Sequence, residues 1–383
     1  MTPDTRPDLS CVDCNPLDTQ GAAPLAASYT GPLAFADARV RVSALDGVTS
    51  SVGRDAGDYP LFAILGPTAS GKSALAIFLA ERLDGEVINY DSVQLYRGLE
   101  IGSGKVSRED RGLVPHHLLD VADPDQLVTA GAYRRLALPV LAEVRGRRKV
   151  PILAGGTGLY LRALLEGLFE GPQRSEPLRA RLRAIERRRG RRFLHRLLGR
   201  LDPAAARIHP HDAQKMIRAL EVRILAGEAI SALQRRGRPA LVGFRVVKIG
   251  LKPPREDLRR RIDRRVEAMF ASGLVEETRT ALGWASAAEP CFRTALGYRQ
   301  ACAVIDGGLK EDEAVRLAQA ATRRYAKRQM TWFRREANVR WFEGFGDDPV
   351  VQQHVLQTLC ATAGGACPVA QDVRHPECGE ESL

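Results

Sequence analysis

The feature that constrains the fold of this chain most is a glycine-rich run that fits the pattern G-x-x-x-x-G-K-[ST]. It consists of Gly66, Pro67, Thr68, Ala69, Ser70, Gly71, Lys72 and Ser73. An apolar run precedes it and an amphipathic stretch follows it, which is the strand–loop–helix setting that the motif requires. There the loop amides and the helix N-terminus bind a di- or triphosphate, the lysine adds a cation, and the Ser73 hydroxyl can ligate Mg²⁺. The motif predicts phosphate binding but specifies neither the phosphate compound nor the bond that breaks.

Short apolar runs alternate with amphipathic stretches along most of the chain. The runs that predict strands are 61–65, 86–90, 150–154 and 245–251. Helices are predicted at 74–83, from Leu159 onward, at 255–281 and at 311–338. Such alternation is typical of a parallel sheet that binds ligands at the carboxyl ends of its strands. We therefore predict an α/β fold, a P-loop NTPase-like parallel sheet flanked by helices, with a helical insertion domain.

The same pattern predicts four segments. The catalytic core comprises 59–172 and 241–343, and the strand signals vanish between them, in a helical insertion at 173–240. Residues 1–58 show no sustained period and are predicted to be a flexible extension. Residues 344–383 are predicted to be a flexible acidic tail.

The positive charge of the chain, +11 overall, is concentrated in one region. The insertion at 173–240 holds 18 basic and 6 acidic side chains, a net charge of +12, whereas 1–58 and 344–383 carry −4 and −5. A segment this basic repels itself unless an anion neutralises it, and nucleic acid is the usual partner of such a patch. A solvated, arginine-rich helix face is the alternative interpretation.

Composition excludes several classes of protein. Hydrophobic residues make up 44% of the chain, enough for folded cores, which excludes global disorder. No run approaches the roughly 18 apolar residues of a membrane span, and the N-terminus lacks the pattern of a secretory signal. Seven cysteines at irregular spacing do not indicate a disulfide scaffold, so a reducing cytoplasm is the expected location. Neither the Cys11–Cys14 pair nor the tail cysteines match a compact zinc finger.

Two further polar positions follow predicted strands. Asp91 comes directly after the second strand, where a carboxylate could bind Mg²⁺, act as a general base, or simply cap a helix. The glycines at 155–158 follow the third strand and flank Thr157, which brings flexible backbone and a hydroxyl to the same edge. Both positions are candidates for a site beside the phosphate loop.

Seven blocks of sequence occur in a fixed order between residues 59 and 343. They are GPTASGKSALA (66–76), YDSVQLYRGLEIGSGK (90–105), PHHLLDV (115–121), GGTGLYLRALLEGL (155–168), RIHPHDAQKMIRALEV (207–222), ALGYRQ (295–300) and AKRQMTWFRRE (326–336). In this order they resemble tRNA dimethylallyltransferases, also called tRNA isopentenyltransferases, over about three quarters of the chain. No C-x₂-C…H-x₃₋₅-H pattern follows Phe345, which favours the bacterial type. The run at 102–106 departs from the family's usual G-T-A-K-P but keeps Lys105.

The resemblance implies prenyl transfer rather than phosphoryl transfer. The family moves a dimethylallyl group from dimethylallyl diphosphate to the N6 amine of adenosine 37, 3′ of the anticodon in tRNA, and releases diphosphate. Asp91 takes the family's general-base position, with Lys72 and Thr157 as the other catalytic residues. Arg261 resembles a family arginine that reaches the diphosphate, and Ser73 would ligate the Mg²⁺ cofactor. Charge developing on the leaving diphosphate requires such cations and donors.

The resemblance also implies a surface for the anticodon stem-loop of tRNA. Its expected contacts are Asp91, Ser92, Val93, Gln94, Thr157, Arg179, Gln214, Lys215, Met216, Ile217, Arg218, Gly297, Tyr298, Arg299 and Arg328. A base inside a duplex could not reach the pocket, so the target is expected to be a single-stranded loop base that flips out. We expect a monomer that binds no membrane.

Three alternatives remain open at this point. An adenylate isopentenyltransferase would share the fold and the loop but would not need the insertion of net charge +12. A P-loop small-molecule kinase would use Asp91 in phosphoryl transfer from ATP. A non-enzymatic RNA-binding relative would not need Asp91, Lys72 and Thr157 together.

Overall fold

The structure, a computed structural model, describes residues 59–169, 171–237, 239–284 and 291–362, so the predicted extension at 1–58 lies outside the described residues. The described strands are β1 Tyr59–Leu65, β2 Gly85–Asn89, β3 His116–His117, β4 Val150–Ala154, β5 Phe244–Lys252 and β6 Val339–Glu343. They form one sheet in the order β3-β2-β4-β1-β5-β6, and all neighbouring pairs are parallel. The predicted parallel α/β sheet is confirmed.

Helices cover the sheet and extend beyond it. The first eight are α1 Lys72–Leu83, α2 Arg108–Leu113, α3 Ala130–Gly146, α4 Gly158–Glu166, α5 Glu176–Arg189, α6 Arg191–Leu201, α7 Ala213–Ala226 and α8 Ile230–Arg235. The others are α9 Arg255–Ala271, α10 Leu274–Trp284, α11 Tyr298–Ile305, α12 Glu311–Phe333 and α13 Pro349–Thr362. Short 3₁₀ helices occupy Pro203–Arg207 and Cys291–Thr294.

The sheet is apolar on both faces because helices pack on both. Successive side chains of β1 point to opposite faces. Phe62 and Ile64 pack toward α1 and α13 on one face, and Leu61, Ala63 and Leu65 pack toward α3 and α4 on the other. This double burial explains why the strands read as short continuous apolar runs.

Helices α5 to α8 lie between α4 and β5 in the chain and have a core of their own. Leu194 and Leu198 of α6 pack with Met216 and Leu220 of α7 in that core. Another core joins α9 to α12 with the segment at 96–101, which follows β2. The basic arginines of α5 and α6 are therefore carried by a separate helical layer.

Two predicted helices end earlier than expected. The predicted helix 255–281 is wrong as a single helix, because Ser272 and Gly273 separate α9 from α10, with Gly273 at a φ of +96°. A positive φ costs glycine least and breaks the helical path. The predicted helix 311–338 ends at Phe333, and the chain then enters β6, which the sequence reading missed.

The predicted flexible tail at 344–383 is wrong for its first half. Residues 349–362 form α13, and Val351, Val355 and Leu359 lie in the core that contains α1. Their spacing of four residues puts them on one face of a helix, a pattern that the acidic composition of the tail conceals. Residues 363–383 lie outside the described residues.

Candidate active site

The glycine-rich loop joins β1 to α1, as the sequence predicts. Ala69 and Gly71 adopt positive φ angles of 63° and 84°, which curl the backbone around the N-terminus of α1. Such a curl turns successive amides toward one point and favours an anion there. A Cβ on Gly66 would lie 2.9 Å from Ser70 Oγ, a buried hydroxyl without a hydrogen-bond partner among the described residues. The loop therefore has the geometry of a phosphate cradle.

A cavity of about 1020 Å³ opens at this loop, at the carboxyl edge of the sheet. Its floor consists of the loop residues from Thr68 to Ser73. Asp91 and the glycines 155 and 156 line it from the ends of β2 and β4, and Arg261 and Arg265 line it from α9. Cations on one side and the loop amides on the other make it suitable for a polyanion.

Lys72 lies at the base of the cavity, where its Nζ donates a hydrogen bond to Pro67 O at 2.7 Å. Burial lowers the pKa of Lys72 to about 7, an effect that Asp91 opposes and Arg265 reinforces. Burial penalises the ammonium form because the charge loses its hydration. A bound phosphate would supply the missing counter-charge.

Asp91 is held by its own turn. Its Oδ1 accepts a hydrogen bond from Val93 N at 2.9 Å, and its backbone N donates to Asn89 Oδ1 at 2.9 Å. A Cβ on Gly156 would lie 2.9 Å from Asp91 Oδ2, which is too close for non-bonded atoms, so glycine is the residue that fits beside this oxygen. Among the described residues, Asp91 Oδ2 receives no hydrogen bond, which leaves it available to a ligand.

A second cavity of about 440 Å³ adjoins the first. Asp91, Thr68, Arg265 and Tyr325 line both cavities. Much of the wall of this second cavity consists of aromatic and apolar side chains, including Tyr96, Val128, Met269, Phe270 and Phe292. Asp91 therefore stands where a phosphate pocket meets a pocket suited to a flat organic group.

Thr157 lies beside the site, hydrogen-bonded to a residue of the second cavity. It lines neither cavity; its Oγ1 accepts from Ser92 N at 2.9 Å and donates to Ser92 Oγ at 3.1 Å. Its direct contact with the reacting groups therefore stays a prediction. Thr157 instead holds the residue next to Asp91 and so fixes the carboxylate indirectly.

Three side chains of the site were missed by the sequence reading. Gln329 of α12 bridges two loops, since its Oε1 accepts from Thr68 N at 2.7 Å and its Nε2 donates to Gly156 O at 2.9 Å. Tyr325 OH also donates to Gly156 O, at 3.2 Å. Burial lowers the pKa of Arg265, and the nearby Asp91 opposes this. The spacing of four residues between Arg265 and Arg261 was an available signal, because it puts both on one helix face.

Several expected tRNA contacts do line the cavities. Ser92, Val93, Gly297 and Arg328 line the second cavity. Gln94 lines the phosphate cavity instead, and its Nε2 donates to Gly104 O at 3.2 Å. Gln214, Lys215 and Arg299 are exposed on helix surfaces and are not among the lining residues of either cavity.

Other expected contacts are buried or are paired within the protein. Met216 and Ile217 lie in the core of the helical insertion, on the inner face of α7. Arg179 and Arg218 both pair with the buried Glu221. Tyr298 is fully buried and donates to Glu277 at 2.7 Å. Membership in a family sequence block did not distinguish core positions from surface positions.

Arg261 is predicted to bind diphosphate and does line the first cavity. Its Nη1 and Nη2 donate to the two carboxylate oxygens of Asp347, each at 2.8 Å.

Within the described ranges, no cluster of three or more His, Cys, Asp or Glu side chains is arranged to hold a metal ion. No helix in the described part of the chain is long and apolar enough to cross a membrane.

The fold and the site define a P-loop α/β protein with a polyanion pocket that opens onto an apolar one. Residues 94–336 match a family model described as IPP transferase. The chain is 52% identical over 304 residues to a tRNA dimethylallyltransferase of Koribacter versatilis, covering 79% of this chain and 98% of that one. With a tRNA dimethylallyltransferase of Solibacter usitatus it is 49% identical over 306 residues, covering 80% and 99%.

A solved structure shows the same relationship. The tRNA isopentenylpyrophosphate transferase from Bacillus halodurans matches with a TM-score of 0.59 at 37% identity, over 80% of this chain and 97% of that one. The chain therefore belongs to the IPP transferase family, whose curated relatives here are named tRNA dimethylallyltransferases.

Proposed function

We propose that this enzyme transfers the dimethylallyl group of dimethylallyl diphosphate to the N6 amine of adenosine 37 in tRNA. The observation that carries the proposal is the position of Asp91, on the boundary between the phosphate cavity and the apolar cavity. A general base at that boundary can reach an amine that attacks from one side while diphosphate leaves on the other. The curated relatives that carry this name support the same reaction.

The phosphate cavity would bind the diphosphate. The loop amides, the N-terminus of α1, Lys72 and the α9 arginines supply donors and positive charge around it. The bond from the allylic carbon to oxygen breaks with both electrons going to diphosphate. Groups that are already oriented stabilise the new charge without reorganisation, which lowers the barrier.

The second cavity would receive the adenine. The exocyclic amine is a poor nucleophile because its lone pair is delocalised into the ring. As its nitrogen bonds to the allylic carbon it must lose a proton, and Asp91 Oδ2 is the oxygen available to accept it. Apolar walls around Met269 and Phe270 suit both a base face and a prenyl group.

Mg²⁺ fits the residues present. The Ser73 hydroxyl lines the phosphate cavity and is an oxygen donor of the kind that Mg²⁺ prefers. Mg²⁺ typically takes one or two protein oxygens and completes its shell with phosphates and water, so a larger acidic cluster is not required. When bound, it would neutralise charge on the diphosphate.

We assign tRNA recognition to the helical insertion and to the mouth of the second cavity. The insertion carries a net charge of +12, and Gln214 and Lys215 are exposed on it. Arg328 at the second cavity could meet a phosphate beside the flipped base. We propose that the enzyme is a monomer and that it acts in the cytoplasm, where unmodified tRNA is available.

Transfer to a free nucleotide is the competing function. An adenylate isopentenyltransferase would need no basic insertion, so the charge of residues 173–240 favours tRNA. A kinase would instead move a phosphoryl group from ATP to an acceptor, without forming a bond between carbon and nitrogen.

The decisive assay supplies labelled dimethylallyl diphosphate with unmodified tRNA, with an anticodon stem-loop, or with AMP. The proposal expects label in the tRNA and the stem-loop as N6-(dimethylallyl)adenosine. A stem-loop with guanosine at the target position is the matched control and should stay unlabelled. Label in AMP alone would contradict the tRNA assignment, and phosphoryl transfer from ATP would indicate a kinase.

A further inference from the structure

A short segment after β6 crosses the phosphate-binding loop; we call residues 344–348 the strap. Gly346 N donates to Ser70 O at 2.8 Å, and Gln352 Nε2 donates to Gly346 O at 3.0 Å. A Cβ on Gly71 would lie 2.5 Å from Asp347 Oδ1, so the strap leaves no room for a side chain there. Helix α13 continues from the strap into the core beside α1, and its Gln352, which bonds the strap, lines the phosphate cavity.

Arg261 is held by the strap from two directions. Asp347 accepts its two Nη donors at 2.8 Å each, and the guanidinium carbon lies 4.8 Å from the centroid of the Phe345 ring. A guanidinium has five N–H donors in one plane, and this pairing uses two of them. The remaining donors stay on a side chain that lines the phosphate cavity.

We infer that Asp347 and Phe345 are positioning residues that orient the Arg261 guanidinium toward the diphosphate. The inference rests on the proposed function, which makes dimethylallyl diphosphate the ligand. A free arginine side chain samples many rotamers, and a ligand that binds it must immobilise it. Bidentate pairing with a carboxylate and stacking on a ring fix the plane of the guanidinium before the ligand arrives.

Asp347 has two possible effects on diphosphate affinity, and they have opposite signs. A carboxylate beside an anion site repels the anion, and its removal would then strengthen binding. The bidentate pair neutralises that charge: hydrogen bonds from Arg261 hold the pKa of Asp347 below its usual range. Positioning therefore predicts weaker diphosphate binding without Asp347, whereas competition predicts tighter binding.

The test is a double-mutant cycle on the intact chain, with dimethylallyl diphosphate as the titrant and no tRNA present. Asp347→Ala should raise the Kd roughly tenfold, and Asp347→Asn should fall between it and the wild type. In an Arg261→Ala background the Asp347→Ala change should alter the Kd by less than about twofold. The matched control is Asp348→Ala, which removes the same charge from the strap and the cap on Val350 N but leaves Arg261 paired.

Two results would overturn the inference. One is an equal loss of affinity from Asp347→Ala in both backgrounds, because Asp347 would then act without Arg261. The other is tighter binding by Asp347→Ala, which would make the carboxylate a competitor. Failure of the proposed function is a separate outcome, because wild-type enzyme that binds the diphosphate but does not label tRNA still allows the cycle to be measured.

Discussion

Arg179 forms a buried ion pair with Glu221. This pairing indicates that Arg179 stabilises the insertion, whereas the family resemblance makes it a tRNA contact. Arg179 is 9% exposed and Glu221 is fully buried. Glu221 accepts from Arg179 Nε and Nη2 at 2.8 Å each, from Ser175 N at 2.8 Å and from Arg218 Nη1 at 2.6 Å. We predict that Arg179→Met destabilises the protein and that its effect on tRNA binding is secondary.

The expected magnitude follows from these contacts. Breaking a buried ion pair by removing one partner costs about 3–5 kcal/mol, because an uncompensated charge stays buried. Arg218 still contacts Glu221 in the variant, so the lower end, about 3 kcal/mol, is expected. Glu221→Gln keeps an acceptor for Ser175 N and removes the charge. The double variant Arg179→Met/Glu221→Gln should therefore recover most of that loss.

The assay combines urea denaturation followed by helical circular dichroism with tRNA binding at a temperature where every variant is folded. The single variant should lose stability, and the double variant should approach wild type in both stability and tRNA affinity. A double variant that regains stability but binds tRNA tenfold or more weakly would refute the structural assignment and restore Arg179 as an RNA contact.

Two further predictions concern the charge of Lys72 and the hydrogen bonds by which Gln329 joins two loops. Since burial lowers the pKa of Lys72 to about 7, its ammonium is present below that pH and must be regenerated by proton uptake above it. Affinity for dimethylallyl diphosphate should thus fall by up to about tenfold per unit above pH 7, and calorimetry in buffers of different ionisation enthalpy should detect the proton. Absence of proton uptake at pH 8 would contradict this. Gln329→Met should cost about 2 kcal/mol by urea denaturation and slow prenyl transfer, because it strands Thr68 N and leaves Gly156 O with only the hydrogen bond from Tyr325; unchanged stability would exclude the bridge.

Local patterns allowed much of the site to be predicted. The phosphate loop is defined by glycines within eight residues, and its strand and helix flank it directly. Asp91 follows β2, and parallel strands bring their carboxyl ends to one edge, so its position beside the loop follows from the strand pattern. The phosphate loop and the position of Asp91 could be predicted because residues adjacent in the sequence determine both.

Features that depend on tertiary packing could not be predicted in the same way. Gln329 and Arg265 reach the site from α12 and α9, and no local pattern specifies which turn of a helix faces the loop. Met216 carries no charge signal and faces inward because α7 packs on α6. Helix α13 was missed because the acidic composition of 344–383 outweighed the helical spacing of the apolar residues in 351–359.

Single-turnover kinetics of Asp91→Asn show whether Asp91 removes the proton from the adenosine amine. The amide keeps the size of the carboxylate and the Oδ1 contact with Val93 N, but it is not a base. With tRNA and dimethylallyl diphosphate both saturating, we expect a chemical step slower by roughly 10²-fold or more, with little change in either Kd. A variant that transfers the dimethylallyl group at the wild-type rate would contradict it.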